Sequence, residues 1–137
     1  MRYLCLIYDS EAELEKMPKE ASEAFMGEYF AFTDDVRGSG HYVAGEALKP
    51  VATATTIRIR NGKLSATDGP FAETREQLGG FYLIEARDLN DAIQIASRIP
   101  SARIGSIEIR PVVNFEEDPD GCFPSPDAAR ASAGTEL

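Results

Sequence analysis

The sequence has no long apolar segment and no hydrophobic leader at its start. A helix that spans a bilayer needs about 18 or more apolar residues in a row, and no run comes near that length. The first residues turn acidic at Asp9, which is too early for a secretory signal peptide. We therefore expect a cytoplasmic protein that does not enter a membrane.

Basic residues are scarce. The 137 residues include 23 acids and 14 lysines or arginines, which gives a formal net charge of -9. A protein that binds nucleic acid needs a basic face to neutralise phosphates, and an anionic membrane makes the same demand. The charge balance therefore argues against nucleic acid and membrane surfaces as partners.

Histidine and cysteine are too few for an obvious metal centre. The chain has one histidine, His41, and two cysteines, Cys5 and Cys122, which show no CxxC or Cys/His ligand spacing. One histidine and scattered carboxylates do not make a zinc or iron site. No glycine-rich phosphate loop or dinucleotide fingerprint is present either. We expect no metal and no cofactor.

The chain does contain two segments that are apolar on both faces, residues 2–8 and 80–86, which is typical of central strands. Alternation predicts further strands at residues 41–45, 55–60, 63–67 and 106–110, and Asn61-Gly62 predicts a hairpin turn. Helical spacing of apolar residues predicts helices over residues 21–37 and 89–99. A short helical turn is expected before Leu78.

This order is βαββαβ with an inserted hairpin, the plan of a ferredoxin-like α+β domain, and we assign it to residues 1–113. Residues 114–137 hold six acids and one base and form a proline-rich tail, predicted to be disordered or a dimer arm. Two helices cover only one face of the sheet, and the inserted hairpin can cover part of the other. We therefore expect a homodimer in which the open faces pack together, in an association like a dimeric α/β barrel.

The segment from Asp68 to Gly80 concentrates chemistry. It reads DGPFAETREQLGG and combines a tight turn, four ionisable groups and a glycine pair. Together with residues 45–50 and 108–111, it resembles the YCII-related superfamily in its DGPF-domain branch. The resemblance covers residues 1 to about 113 and implies a dimeric ferredoxin-like fold.

The resemblance also implies a function, although a loosely defined one. In the wider superfamily a histidine on the first helix and an aspartate near a later strand are proposed as an acid–base pair. One branch is associated with dechlorination of aromatic compounds, and genes of the DGPF branch often neighbour sigma-factor genes. This chain has no histidine on the first helix, where Glu28 or Tyr29 stands near that point.

The candidate catalytic residues are Asp68 and His41, because each can exchange a proton. The candidate ligand-binding residues are Asp68, Glu73, Arg75, Glu76, Arg58 and Arg110. Structural interpretations stand beside these roles: Asp68 can stabilise a turn, the residues after Phe71 can form ion pairs, and the strand arginines can form a solvated face.

Two functions follow. The preferred hypothesis is a module that binds a small molecule or a protein, with a link to transcriptional regulation. The alternative is a cofactor-independent enzyme, of lyase, isomerase or dehalogenase type, that uses acid–base chemistry on a small polar or aromatic substrate. A pocket with Asp68 pointing into it beside a second titratable group would favour the enzyme, and a shallow, solvent-filled surface would favour the module.

Overall fold

A computed structural model describes residues 1–117 together with Asp127, Arg130 and Ala131. The predicted tail, including Cys122 and Phe123, lies largely outside these residues. The elements follow in the order β1 (Arg2–Asp9), α1 (Glu11–Glu15), α2 (Lys19–Gly38), β2 (Tyr42–Ala47), β3 (Thr55–Arg60), β4 (Lys63–Asp68), β5 (Gln77–Glu85), α3 (Leu89–Ala96) and β6 (Ser106–Pro111), with 3₁₀ turns at Val51–Thr53 and Pro100–Arg103.

Four strands form one antiparallel sheet in the order β2-β5-β1-β6. Strands β1 and β5 lie in the centre and pair along their whole length, from Arg2 opposite Glu85 to Asp9 opposite Gln77. A central strand has neighbours on both edges, so the two strands that are apolar on both faces occupy the two central positions. The prediction of a ferredoxin-like α+β fold is confirmed.

The core lies between one face of this sheet and the helices. Strand β1 turns Tyr3, Cys5, Ile7 and Asp9 towards that face, because alternate side chains of a strand share one face. Val36 of α2 is fully buried against them. From α3 and the segment after it, the buried side chains are Ala92, Ile95, Ala96 and Ile99. Leu4, Leu6 and Leu83 point to the opposite face and are only half-buried.

Strands β3 and β4 form the predicted hairpin, which is a separate two-stranded sheet. Asn61 and Gly62 have φ angles of 53° and 74°, the positive values that a type I′ turn requires. Every residue of β4 is exposed. Ile57 and Ile59 of β3 are 65% and 64% exposed. The hairpin therefore keeps its apolar side chains in solvent instead of burying them on the open face of the sheet.

The structure differs from the predicted elements in three places. No helical turn precedes Leu78, because the chain bends between Gly69 and Glu76 and β5 begins at Gln77. The side chain of Gln77 holds this bend by donating to the carbonyl oxygen of Thr74 at 2.6 Å. The acidic stretch after β1 contains α1, capped by Ser10, which accepts from the backbone amide of Glu13. Helix α3 ends at Ala96, three residues early.

Within the part of the chain that the structure describes, no helix has the length and apolar character needed to cross a membrane.

Candidate functional site

A cleft opens between α2 and the sheet, and it is lined by residues of α2, β2, β5 and β1. Helix α3 packs against β6, at the other edge of the sheet. The cleft encloses about 500 Å³, a typical size for a small-molecule site. We call it the α2 cleft, and its lining includes Asp9, Tyr29, Thr33, Arg37, Gly80 and Tyr82.

Two glycines form part of this lining at positions where neighbouring atoms leave no room for a side chain. Gly80 of β5 and Gly45 of β2 lie in the lining of the cleft. A Cβ atom at residue 80 would come within 2.7 Å of the carbonyl oxygen of Glu46. A Cβ atom at residue 45 would come within 2.9 Å of the ring of Tyr82. Both positions therefore require glycine for the strands and the Tyr82 ring to keep their spacing.

Asp9 supplies the buried acid of the cleft. It ends β1 on the helix face and is 9% exposed. Its Oδ2 atom accepts a hydrogen bond of 2.7 Å from the hydroxyl of Ser101. Its Oδ1 atom is buried without a hydrogen-bond partner among the described residues. An unpaired carboxylate oxygen removed from water is costly, which makes this atom the most unusual polar atom of the described structure.

The surroundings of Asp9 favour a proton on it. Burial raises the pKa of the carboxyl group, the hydrogen bond from Ser101 lowers it, and the nearby charge of Glu76 raises it again. The net effect is a pKa above the ordinary value of 3.8. Such a group exchanges protons nearer to neutral pH than a surface aspartate does.

Two hydroxyl groups extend from Asp9 towards α2. Ser101 lies in the 3₁₀ turn that Pro100 begins, and its side chain is fully buried. Its Oγ atom is also in close hydrogen-bond contact with the hydroxyl of Tyr29. Burial raises the pKa of Tyr29 to about 12, so this phenol is neutral at physiological pH. We call Asp9, Ser101, Tyr29 and Gly105 the Asp9 corner.

Gly105 belongs to this corner because it packs directly on Asp9 and on the backbone of Tyr8. A Cβ atom at residue 105 would overlap the carbonyl oxygen of Tyr8 and lie 2.6 Å from Oδ1 of Asp9. Only glycine leaves room for the carboxylate in this position.

A second pair of hydroxyl groups lines the cleft. The hydroxyl of Thr33 donates to the carbonyl oxygen of Tyr29 at 2.9 Å and lies 2.7 Å from the hydroxyl of Tyr82. Because the Thr33 proton is already used, Tyr82 donates to Thr33. The guanidinium of Arg37 lies 4.7 Å from the ring centre of Tyr42, also in the lining. The cleft is thus aromatic, with a few fixed polar groups.

The residues proposed from sequence lie elsewhere, with one exception. Asp68 ends β4 and is exposed. His41 lies at the opposite end of β5 from the 69–76 bend, with its Nδ1 atom 2.9 Å from the carbonyl oxygen of Glu85. The eight steps of β5 separate those ends by roughly 26 Å. The structure therefore does not bring His41 to the segment that follows Asp68.

The exception is Glu76. It accepts a hydrogen bond of 2.8 Å from Ser106 and is close enough to influence the charge of Asp9. Glu73 and Phe71 line a different cavity of about 1200 Å³, between the 69–76 bend and the 3₁₀ turn at Val51–Thr53. Arg58, Arg75 and Arg110 are exposed, and Arg110 pairs with Glu108 at 3.0 Å. Their ligand-binding roles stay predictions.

Sequence reasoning missed Asp9, Ser101 and Tyr29 as site residues. A signal for Asp9 existed, because the inward register of Tyr3, Cys5 and Ile7 continues to residue 9 and places a carboxylate on the core face. No comparable signal marked Ser101, which reaches Asp9 only through the packing of the 3₁₀ turn. Among the described residues, no three His, Cys, Asp or Glu side chains are grouped to hold a metal ion.

Comparisons with known proteins agree with this fold. A family model described as "YCII-related domain" matches residues 1–116. An uncharacterized protein of Rhizobium meliloti (strain 1021) is 35% identical over 118 residues, covering 85% of this chain and 95% of the relative.

One solved structure is similar with a TM-score of 0.50 and 11% identity, covering 85% of this chain and 98% of that one. It is the 5-chloro-2-hydroxyhydroquinone dehydrochlorinase of Burkholderia phenoliruptrix AC1100 in complex with 2,5-dihydroxybenzoquinone. At this identity the similarity concerns the fold alone.

Proposed function

Since the chain belongs to the YCII-related family, we propose that it binds a small hydroxyaromatic molecule in the α2 cleft and exchanges a proton with it through Asp9. The observation that carries this proposal is the buried carboxylate in the cleft wall, one oxygen of which has no hydrogen-bond partner in the described part of the chain. An acid whose pKa is raised by burial suits general acid–base catalysis. The reaction needs no cofactor in this scheme.

The lining explains the choice of substrate class. Phe25, Tyr29 and Tyr82 offer aromatic surface, and the tyrosine hydroxyls offer hydrogen bonds in fixed directions. Such a mixture suits a flat ring that carries hydroxyl groups. The similar dehydrochlorinase acts on a molecule of this class and binds a dihydroxybenzoquinone. That likeness supports the substrate class by analogy of fold only.

The second candidate is the binding module that the sequence favoured, with a regulatory role of the kind that the DGPF-branch resemblance implies. The observation in its favour is the larger cavity beside the 69–76 bend, where Glu73 and Phe71 offer a binding surface away from Asp9. In that case Asp68 and its neighbours bind the ligand, and Asp9 serves only to hold β1 to the Pro100–Arg103 turn.

Matched variants separate the two functions. We would incubate the protein with 1,2,4-trihydroxybenzene in D₂O and follow, by proton NMR, the exchange of ring hydrogens. The proposal expects accelerated exchange, an Asp9→Asn variant slower by about a hundredfold or more, and an Asp68→Asn variant close to wild type. Binding without exchange would leave the module as the function. A loss of binding in Asp68→Asn alone would move the site to the 69–76 bend.

We also propose that the working unit is a homodimer, in the cytoplasm. The sheet face opposite the helices presents Leu4, Leu6 and Leu83 half-buried, and Leu78 is 37% exposed. Covering such side chains stabilises by roughly 1.5–3 kcal/mol each when burial is complete. The free, buried thiol of Cys5 fits a reducing compartment.

A further inference from the structure

We infer that Ser101 relays a proton between Asp9 and Tyr29, so that the Tyr29 hydroxyl, and not the Asp9 carboxylate, meets the hydroxyl group of the ligand. This inference rests on the proposed function and assigns catalytic contact to Tyr29 and a relay role to Ser101. Both residues lie in the lining of the cleft, but Asp9 has its Oδ1 atom enclosed and its Oδ2 atom occupied by Ser101, which leaves Tyr29 as the group that meets the ligand.

The direction of the hydrogen bonds follows from counting protons. When Asp9 is a carboxylate it can only accept, so the single hydroxyl proton of Ser101 points to Oδ2 at 2.7 Å. The contact between Ser101 and Tyr29 then needs the Tyr29 proton, which must point to Ser101. In this state the Tyr29 oxygen faces the cleft as an acceptor, and it prefers a ligand that donates a hydrogen bond.

Protonation of Asp9 reverses the direction of the hydrogen bonds that join Asp9, Ser101 and Tyr29. The new proton on the Oδ2 side donates to Ser101, Ser101 donates to Tyr29, and the Tyr29 proton becomes free to donate into the cleft. The charge state of a buried acid is thus converted into the donor or acceptor character of a phenol on the cleft wall. No side chain has to move for this change, because only hydroxyl protons rotate.

The transfer itself balances without any redox partner. A ligand hydroxyl gives its proton to the Tyr29 oxygen, Tyr29 gives its own proton to Ser101, and Ser101 gives its own to Oδ2 of Asp9. The ligand becomes an oxyanion, Asp9 becomes neutral, and both hydroxyl residues end as they began. The reverse sequence returns the proton to the ligand.

The groups that face Asp9 bear on this exchange. Ser101 and Gly105 approach from the segment between α3 and β6, Tyr29 approaches from α2, and Glu76 from the bend before β5. Glu76 is the only one of these that carries a full charge, and its negative charge favours the protonated form of Asp9. Within the described residues no carboxylate bonds to the second pair, Thr33 and Tyr82, so this pair keeps one direction.

Two small ligands, phenol and anisole, can report the direction of the hydrogen bonds between Asp9, Ser101 and Tyr29. Phenol can donate or accept a hydrogen bond, whereas its methyl ether anisole can only accept, and phenol, like tyrosine, ionises only near pH 10. We would measure both dissociation constants by calorimetry or NMR between pH 7.5 and pH 3.5. The preference for phenol over anisole should fall by about fivefold on acidification, the value of one hydrogen bond.

The variants make the test specific. In Ser101→Ala the preference should no longer depend on pH, and in Asp9→Asn it should equal the acidic wild-type value at every pH. The control Thr33→Ala breaks the parallel hydroxyl pair and should keep the pH dependence. If both probes bind wild type with a constant ratio, the relay is wrong while the proposed function stands. If neither probe binds in the cleft, the proposed function fails and the relay with it.

Discussion

The Asp9 corner buries polar side chains, whereas the hairpin arm exposes apolar ones. The hairpin arm consists of β3, β4 and Phe71. In the corner a carboxylate and a serine are buried and held by hydrogen bonds. In the arm Leu64 and Phe71 are 68% and 81% exposed. Buried charges shift their proton affinity, whereas charges in solvent are screened and contribute little.

The buried corner is therefore suited to proton transfer, and the exposed arm is suited to contact with a partner. Burial in the corner raises the pKa of Asp9 above its ordinary value. The arm carries Arg58, Arg60 and Lys63 in full solvent, and a two-stranded hairpin is at best marginally stable by itself. Its exposed apolar side chains are better suited to contact with a partner than to catalysis.

The largest expected effect comes from filling the corner. Gly105→Ala should destabilise the fold by about 3 kcal/mol, because the new methyl group overlaps a backbone carbonyl that cannot move without breaking β1. Thermal or urea unfolding measures the change. The control Gly27→Ala lies in α2 with open space around it, and should stabilise by about 0.5–1 kcal/mol. Equal effects of the two changes would mean that the corner is not tightly packed.

The second prediction concerns the proposed dimer. Leu6→Lys places a charge on the open sheet face and should raise the dimer dissociation constant by about a hundredfold, since a buried unpaired charge is strongly disfavoured. Sedimentation velocity at micromolar concentration gives the oligomeric state. Leu64→Lys on the arm is the matched change. If it alone dissociates the dimer, the arm and not the sheet face forms the interface.

The third and smallest effect is the pH dependence of stability. Burial raises the pKa of Asp9, so its ionised form costs the folded state free energy at neutral pH. As pH falls through the raised pKa towards the ordinary value, the folded protein takes up the proton first and this cost disappears. Asp9→Asn should therefore gain stability relative to wild type at pH 7, and lose that advantage by about pH 3.5.

Urea unfolding of both proteins at the two pH values tests this sign. Asp68→Asn removes one negative charge at an exposed position and serves as the control for net charge. A wild type that gains no stability relative to Asp9→Asn on acidification would contradict the burial of the Asp9 charge.

Much of the fold could be predicted because its signals are local. The central positions of β1 and β5, the hairpin turn at Asn61-Gly62, and helix α2 each follow from the pattern of a few consecutive residues. The 69–76 bend could not, since a run such as Glu-Thr-Arg-Glu is compatible with a helical turn. Side-chain bonds from Gln77, including its acceptance of the Glu11 amide at 2.9 Å, decide the conformation instead.

The candidate site depends even more on contacts between residues that are distant in the sequence. Residues 68–76 carry four ionisable side chains and were therefore the predicted site, yet Asp68, Glu73 and Arg75 are exposed to solvent. Asp9 and Ser101 are 92 positions apart, and neither belongs to a recognisable motif.

By itself, the sequence determined the order of the strands and helices, the acidic balance of the chain and its family, because periodicity and composition act through neighbouring residues. The tertiary structure alone decided which carboxylate loses its water. Desolvation depends on what packs around a group, and around Asp9 that is Ser101, Gly105 and Tyr29, brought together from distant parts of the chain.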